Sequence, residues 1–465
     1  MTFKEKCAVF GIYGPTLEAA RLTYFGLYAL QHRGQESSGI SSTDGNEIKT
    51  HKSMGLVAQV YTEEILDSLI GNMAIGHNRY ATSGGSFHEH TQPYTDHDNL
   101  VSLAHNGNLP NVEKLENFLK SKKIKTAHLN DSGLMHAAVS YYLKNGETLE
   151  QALTKLFPLF TGAFSLLVMT KDKIAAVRDA YGIRPLSIGR IGGGYVVASE
   201  TCAIDTVDGI FIRDVNPGEM VIIDENGLVS HALSKPHQKL DIFEFVYFAR
   251  PDSILLGKKV YMVRKNLGKL LAKEHPLEVD VVIPVPDSSI PAAIGYAESL
   301  KIPFDFGLVK NRYIGRTFIM PDQKLRDRGV RMKLNPVSEI LAGKRVAIID
   351  DSIVRGTTSK QIVKMVRDAG AREVHVLSSC PPVRYPDFYG IATPTQKQLI
   401  GSQMSIAEIK KFIGADSLSF LSYKSLIEAT ELSENVFCTS CFTGKYPIDI
   451  GKHKKEIKKI TFKDS

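Results

Sequence analysis

Two adjacent carboxylates, Asp350 and Asp351, end the apolar run Val346-Ala-Ile-Ile349, and Arg355-Gly-Thr-Thr-Ser359 follows them closely. If the run is a buried strand and residues 355–359 open a helix, the acid pair projects into the crevice beyond the strand's C-terminal end. Beside it, successive backbone N–H groups and hydroxyls form an anion cradle. A carboxylate pair receives sugar hydroxyls or a hydrated divalent cation and the cradle receives a monophosphate, so together they suit a ribose 5-phosphate with an Mg²⁺-bound pyrophosphate. The plainer reading, an Asp-Ser helix cap with a solvated second Asp, explains neither the pair nor Arg-Gly-Thr-Thr. Pro284-Val-Pro-Asp-Ser-Ser289 follows another apolar run and leads to a helix, which turns that loop toward the same crevice. Lys310 to Arg316 with Arg326, Arg328, Arg331 and Lys333 form a long basic segment. Such a segment closes over a polyanion and excludes water; the alternatives are an exposed loop or an RNA contact.

At the other end of the chain, Cys7 precedes a short apolar strand, Ala8-Val-Phe-Gly-Ile-Tyr13. A lone cysteine there is ordinarily a buried small hydrophobe. Its company is Leu30-Gln-His-Arg-Gly-Gln-Glu-Ser-Ser-Gly39, Gly76-His-Asn-Arg-Tyr-Ala-Thr82, Ala104-His-Asn-Gly-Asn-Leu109 and Asn130-Asp-Ser132. Residues 7 to about 230 read as short strands broken by turns, with Gly-rich junctions at 83–85 and 192–194 and a hairpin signal at Glu225-Asn-Gly227. Apolar spacing predicts helices over 17–30, 134–142 and 149–157, so this half is α+β, with strands such as 166–169 and 195–198 stacked as sheets. Residues 235–241 form a polar linker region. Beyond it 281–285, 302–309, 345–349 and 373–377 are apolar runs typical of parallel strands buried on both faces, alternating with helices over 291–300 and 359–369 in an α/β pattern.

The early motif set resembles the class II glutamine amidotransferases, which are N-terminal-nucleophile (Ntn) hydrolases, and the 346–359 stretch resembles the phosphoribosyl diphosphate (PRPP) motif of type I phosphoribosyltransferases. Together, and with Tyr247-Phe-Ala-Arg-Pro-Asp-Ser253 and Phe442-Thr-Gly-Lys-Tyr-Pro447, the sequence is similar over nearly its whole length to the amidophosphoribosyltransferase family. The resemblance implies a propeptide of residues 1–6, a glutaminase sandwich over 7–235, a phosphoribosyltransferase parallel-sheet domain over 236–450 and a Lys-rich tail over 451–465. It implies Cys7 as nucleophile once its α-amino group is free to act as base, since a peptide N–H cannot take the thiol proton. It further implies Asn106 with the Gly107 N–H as oxyanion hole, Arg79 on the glutamine carboxylate and Asp131 on its ammonium, roles that suit a fork, an opposite charge and neutral donors. Asp350, Asp351, Arg355, Gly356, Thr357, Thr358 and Ser359 would bind PRPP, and Ser288, Asp350 and Asp351 match the family's Mg²⁺ positions. Glutamine and PRPP as substrates, feedback by purine nucleotides and a homotetramer also come with the resemblance.

The chain departs from the family at Ala8 for glycine, Ala180 for proline, and Ser132-Gly133 without the usual acidic residue. One branch carries a [4Fe-4S] cluster on four cysteines; here Cys438 and Cys441 match, but Asp241 and Asp387 occupy the other positions, which argues against a standard cluster. Two carboxylates and two thiolates leave Zn²⁺ as one alternative and no metal as the other.

Composition sets the outer bounds. The chain has 465 residues, 43% of them hydrophobic, enough for two or three domains, and its five cysteines make no disulfide framework. No apolar run approaches a membrane span and no export signal opens the chain, so the expectation is a cytoplasmic protein without membrane contact. Of the net charge of +7, residues 451–465 carry six Lys against one Glu and one Asp, which reads as a solvated tail and not as a nucleic-acid grip. Two rivals fare worse: the glucosamine 6-phosphate aminotransferases share only the first half, and a nucleotide-binding regulator would not need the glutaminase set.

Overall fold

The computed structural model describes residues 7–80, 88–96, 98–311, 333–390, 395–458 and 460. The basic segment from 312 to 332, and residues 1–6, 81–87 and 461–465, lie outside the described residues.

The first half is two stacked sheets covered by helices. One has seven strands, in the order 210–214, 187–191, 194–198, 8–13, 73–79, 37–43 and 48–54; the other has six, in the order 227–232, 219–224, 174–178, 161–169, 102–111 and 94–95. Side-chain alternation explains the stacking. In Ala8–Tyr13, Val9 points into the layer between the sheets with Ile75, Ala104, Leu167 and Val197, while Ala8, Phe10 and Ile12 face the outer helix Ala19–Ala29. In Thr161–Met169, Leu167 and Met169 join the inner layer, and Phe164, Leu166 and Val168 meet the helices Asp131–Lys144 and Leu149–Leu156. A strand with apolar residues at both parities can only be satisfied when both faces are covered. The hairpin signal at 225–227 joins Glu219–Asp224 to Gly227–Ala232, with Asp224 opposite Gly227.

The second half is built on a parallel sheet ordered Val281–Pro284, Arg345–Asp350, Glu373–Ser378 and Ser417–Phe420. Val281, Ile283, Val346 and Ile348 face one core, and Val282, Ala347 and Ile349 face the other. The helices Val260–Glu274 and Ile290–Leu300 lie on one side and Thr357–Asp368 on the other.

Two expectations are corrected. Residues 302–309 do not form a full parallel strand. Val282 donates to the Pro303 carbonyl and Asp305 N–H returns to Val282, but only Leu308–Lys310 is a strand, antiparallel to Leu334–Pro336. The 235–241 region is no free linker, because His237, Lys239 and Asp241 donate to the carbonyls of Ala180, Tyr181 and Ile183, and Leu240–Asp241 pairs in parallel with Phe437–Cys438.

Candidate active sites

Cys7 sits at the entry to its strand, buried, with Sγ 4.0 Å from the Tyr80 carbonyl. The register Ala8 opposite Asn78 sets Cys7 level with Arg79 at the end of the neighbouring strand. Ser199 ties this edge to the other sheet: its Oγ accepts from Val9 N–H at 2.9 Å and from Asn106 Nδ2 at 3.2 Å. Thus the strand carrying Asn106 and Gly107, which belongs to the second sheet, is joined by one hydroxyl to the strand that begins at Cys7. At Gly107 (φ 152°) a Cβ would lie 2.0 Å from the Ala163 carbonyl oxygen, so only glycine fits.

Arg79 is almost fully buried, with its guanidinium 3.2 Å from Glu36 Oε1. Asp131 opens the helix Asp131–Lys144, accepts from the N–H groups of Leu109 and Ser132, and lies 3.8 Å from His105 Nδ1. Burial pushes the His105 imidazole down despite Asp131, which leaves it neutral between Ser132 and the carboxylate. Ser199, Gln92 (accepting His105 N–H at 2.7 Å) and Glu36 are site-supporting residues that the motifs did not single out, although Glu36 stands inside the 30–39 stretch.

In the second half Asp350 ends its strand and Asp351 follows it, both buried. Asp351 accepts from Ser288 Oγ at 2.5 Å and Ser352 Oγ at 2.6 Å, which brings the 284–289 loop to the acid pair as expected. Burial first, and then Asp351, push the Asp350 carboxyl up to about 8. Burial likewise raises Asp351 against the pull of the two hydroxyls and of Arg264. Gly356, at φ 72°, turns the chain into the helix Thr357–Asp368 and, as its N-cap, offers no capping side chain; Arg355 reaches Gln398 at 3.3 Å, and Ser359 is buried. Two hard carboxylates and a hydroxyl beside an uncapped helix start fit a hydrated Mg²⁺ and phosphate.

Residues 77–206 match the glutamine amidotransferase domain family and residues 257–386 the phosphoribosyl transferase domain family. Amidophosphoribosyltransferases of Synechococcus elongatus and Bacillus subtilis are 49% and 47% identical over 98% and 96% of this chain and 94% and 95% of theirs. The solved B. subtilis glutamine PRPP amidotransferase complexed with ADP and GMP superposes with a TM-score of 0.89 at 46% identity, covering 96% of this chain and 98% of that one. The chain belongs to the amidophosphoribosyltransferase family.

As an amidophosphoribosyltransferase it joins its halves through buried charge. Arg33 pairs with Glu200 of its own half and with Glu244 of the other, and Arg184 lies 3.0 Å from Glu244; all four side chains are inaccessible. Burial alone would raise Glu200, but Arg33 and His32 hold it well below the carboxylate range. Glu200 also accepts from Arg250 N–H and Ser253 Oγ, so the segment 244–253 is held against the glutaminase half. On the same segment Tyr247 feels Asp351 and Asp350, although burial is the larger cause of its raised phenol.

The cysteine pair lies beside the two aspartates. Asp241 is opposite Cys438, and burial together with Asp241 and Asp387 drives both Cys438 and Cys441 thiols upward. Among the described residues no group of three or more His, Cys, Asp or Glu side chains is arranged to hold a metal ion. Asp241 instead faces the Arg184 guanidinium at 3.8 Å, and Asp387 Oδ1 accepts from Tyr389 N–H. The arrangement offers Zn²⁺ no ready ligand set among the described residues, and Asp241 and Asp387 already engage other partners.

Proposed function

We propose that Cys7 is the glutaminase nucleophile and Asp350–Asp351 the PRPP anchor of an enzyme that carries out the first step of purine biosynthesis. The reaction moves the amide nitrogen of glutamine to C1 of PRPP and gives 5-phosphoribosylamine, glutamate and diphosphate. The supporting observation is that one chain folds both chemistries and joins them through an inaccessible ion network.

Cys7 Sγ attacks the glutamine amide carbon while Arg79 fixes the α-carboxylate and Asp131 the α-ammonium. Negative charge developing on the carbonyl oxygen meets the Gly107 N–H and the Asn106 amide, donors already held in place. The Cys7 α-amino group, free once residues 1–6 are removed, takes the thiol proton and passes it to departing ammonia, leaving a γ-glutamyl thioester. Ammonia released into water would be protonated and lost, so transfer within the protein makes glutamine a useful donor.

At the second site residues 355–359 hold the 5-phosphate, Asp350 and Asp351 hold the ribose hydroxyls, and ammonia displaces pyrophosphate from C1. Mg²⁺ bound by Ser288, Asp350 and Asp351 would neutralise the pyrophosphate as it leaves. Feedback by purine nucleotides accords with the ADP and GMP in the B. subtilis complex, and a homotetramer and a cytoplasmic setting complete the reading. Among the described residues no helix is long and apolar enough to cross a membrane.

The test is Cys7→Ala assayed with each nitrogen source. Glutamine-dependent synthesis falls by about a thousandfold or more while synthesis from ammonium salts persists. Full glutamine activity in this variant would remove the nucleophile assignment.

A further inference from the structure

The turn Asp387–Gly390 belongs to the phosphoribosyltransferase half yet touches the strand that carries Asn106 and Gly107. Asn108 Nδ2 donates to the Phe388 carbonyl at 2.8 Å, across 280 positions of sequence. Gly390 has φ 105°, and a Cβ there would lie 3.0 Å from Gly107 Cα and 3.1 Å from its carbonyl carbon. Gly107 is thus enclosed on both sides, by the Ala163 carbonyl and by Gly390. Backbone against backbone leaves no side chain to absorb a displacement.

The turn is itself held firmly. Asp387 Oδ1 accepts from Tyr389 N–H at 2.7 Å, Tyr389 Oη donates to the Ile448 carbonyl at 2.6 Å, and the Phe388 ring stacks on His453 at 4.8 Å. A few residues along the same strand, Asn111 Nδ2 donates to Asp449 Oδ2 at 2.9 Å, a second tie from the far half. From its own half the strand is tied through Asn106 to Ser199.

We infer that Asn108 and Gly390 are positioning residues for glutamine hydrolysis, through which the phosphoribosyltransferase half sets the placement of the oxyanion donors on the glutaminase half. The inference rests on the reading of Asn106 and Gly107 as the oxyanion hole. A peptide N–H stabilises a developing oxyanion only when its direction is fixed in advance, and losing one such donor costs about 10²–10³ in kcat. Gly107 Cα and its carbonyl pack against Gly390 of the other half, so the placement of the neighbouring N–H depends on how the halves dock.

The experiment uses full-length mature enzyme carrying Asn108→Ala, Gly390→Ala or, as reference, Asn106→Ala. Asn108→Ala lowers the glutamine-dependent kcat about tenfold and Gly390→Ala about a hundredfold, each with KM for glutamine within about twofold of wild type. Ammonia-dependent synthesis and alkylation of Cys7 by iodoacetamide continue at wild-type rates in both, which shows folded protein and an intact nucleophile. If Asn106→Ala loses glutamine turnover while Asn108→Ala and Gly390→Ala keep it, the positioning role is wrong. A rise in KM at unchanged kcat, or an equal loss with both nitrogen sources, overturns it too. Full glutamine activity in Asn106→Ala would instead sink the oxyanion-hole reading beneath it.

Discussion

The two sites handle charge in opposite ways. Around Cys7 the polar groups answer one another: Asn106 with Ser199, Arg79 with Glu36, Asp131 with two N–H groups. At the other site two buried carboxylates stand side by side, burial raising both and Asp351 raising Asp350 further, with hydroxyls directed at Asp351. The groups around Cys7 find partners within the protein, whereas the acid pair would be completed by the cation and ligand proposed to bind there.

Asp350→Asn is the sharpest way to break this contrast. With the repulsion removed, turnover from glutamine and from ammonia both fall about a thousandfold. The ligand-free protein meanwhile gains about 1 kcal/mol, a rise in Tm of roughly 1–2 °C. Parallel assays and thermal scans check it, and a variant that lost both activity and stability would show that the acid pair is not strained.

Glu244→Gln probes the joint between the two regions and has a smaller effect on turnover. It removes the carboxylate shared by Arg33 and Arg184, both inaccessible, and leaves two buried guanidinium groups undercompensated. Breaking a buried pair costs about 3–5 kcal/mol, expected here as a Tm several degrees lower. Glu431→Gln, which loses an exposed ion pair to Lys258, provides the comparison and leaves Tm nearly unchanged. Equal shifts in the two variants would mean the inaccessible network holds nothing together.

Local patterns in the sequence carried much of this contrast, though not all. The apolar strand after Cys7, the strands read over 166–169 and 195–198 and the apolar run ending at Asp350 foretold stacked sheets and a parallel sheet. The strand Ser417–Phe420, with serines at alternate positions, has no continuous apolar run and shows itself only when Glu373–Ser378 pairs with it. The 302–309 run looked like a strand because it is apolar, but its backbone meets Val282 at few points. Motifs named Asn106 and Gly107; they could not name Ser199, Phe388 or Gly390, whose contact with that strand spans 93 positions of sequence in one case and about 280 in the others. Contacts of that range leave no periodicity to read.

The smallest effect concerns a desolvated cation near the proposed glutamine site. Lys52 Nζ donates to the Thr91 and Pro93 carbonyls and lies 5.2 Å from the Tyr94 ring. Burial pulls its ammonium down to about 8. Between pH 8 and the unfolded value near 10.5 the unfolded chain binds more protons than the folded one, so Lys52 makes stability rise with pH across that window. Below about 8 the ammonium is charged in both states and its desolvation cost, of order 1–3 kcal/mol, is borne in full. Lys52→Met removes the titration along with two hydrogen bonds. Wild type should therefore gain Tm relative to the variant as pH goes from 8 to 10, by about 1–3 °C, and parallel curves would show that the ammonium is solvated and that the glutamine site carries no unbalanced charge at all.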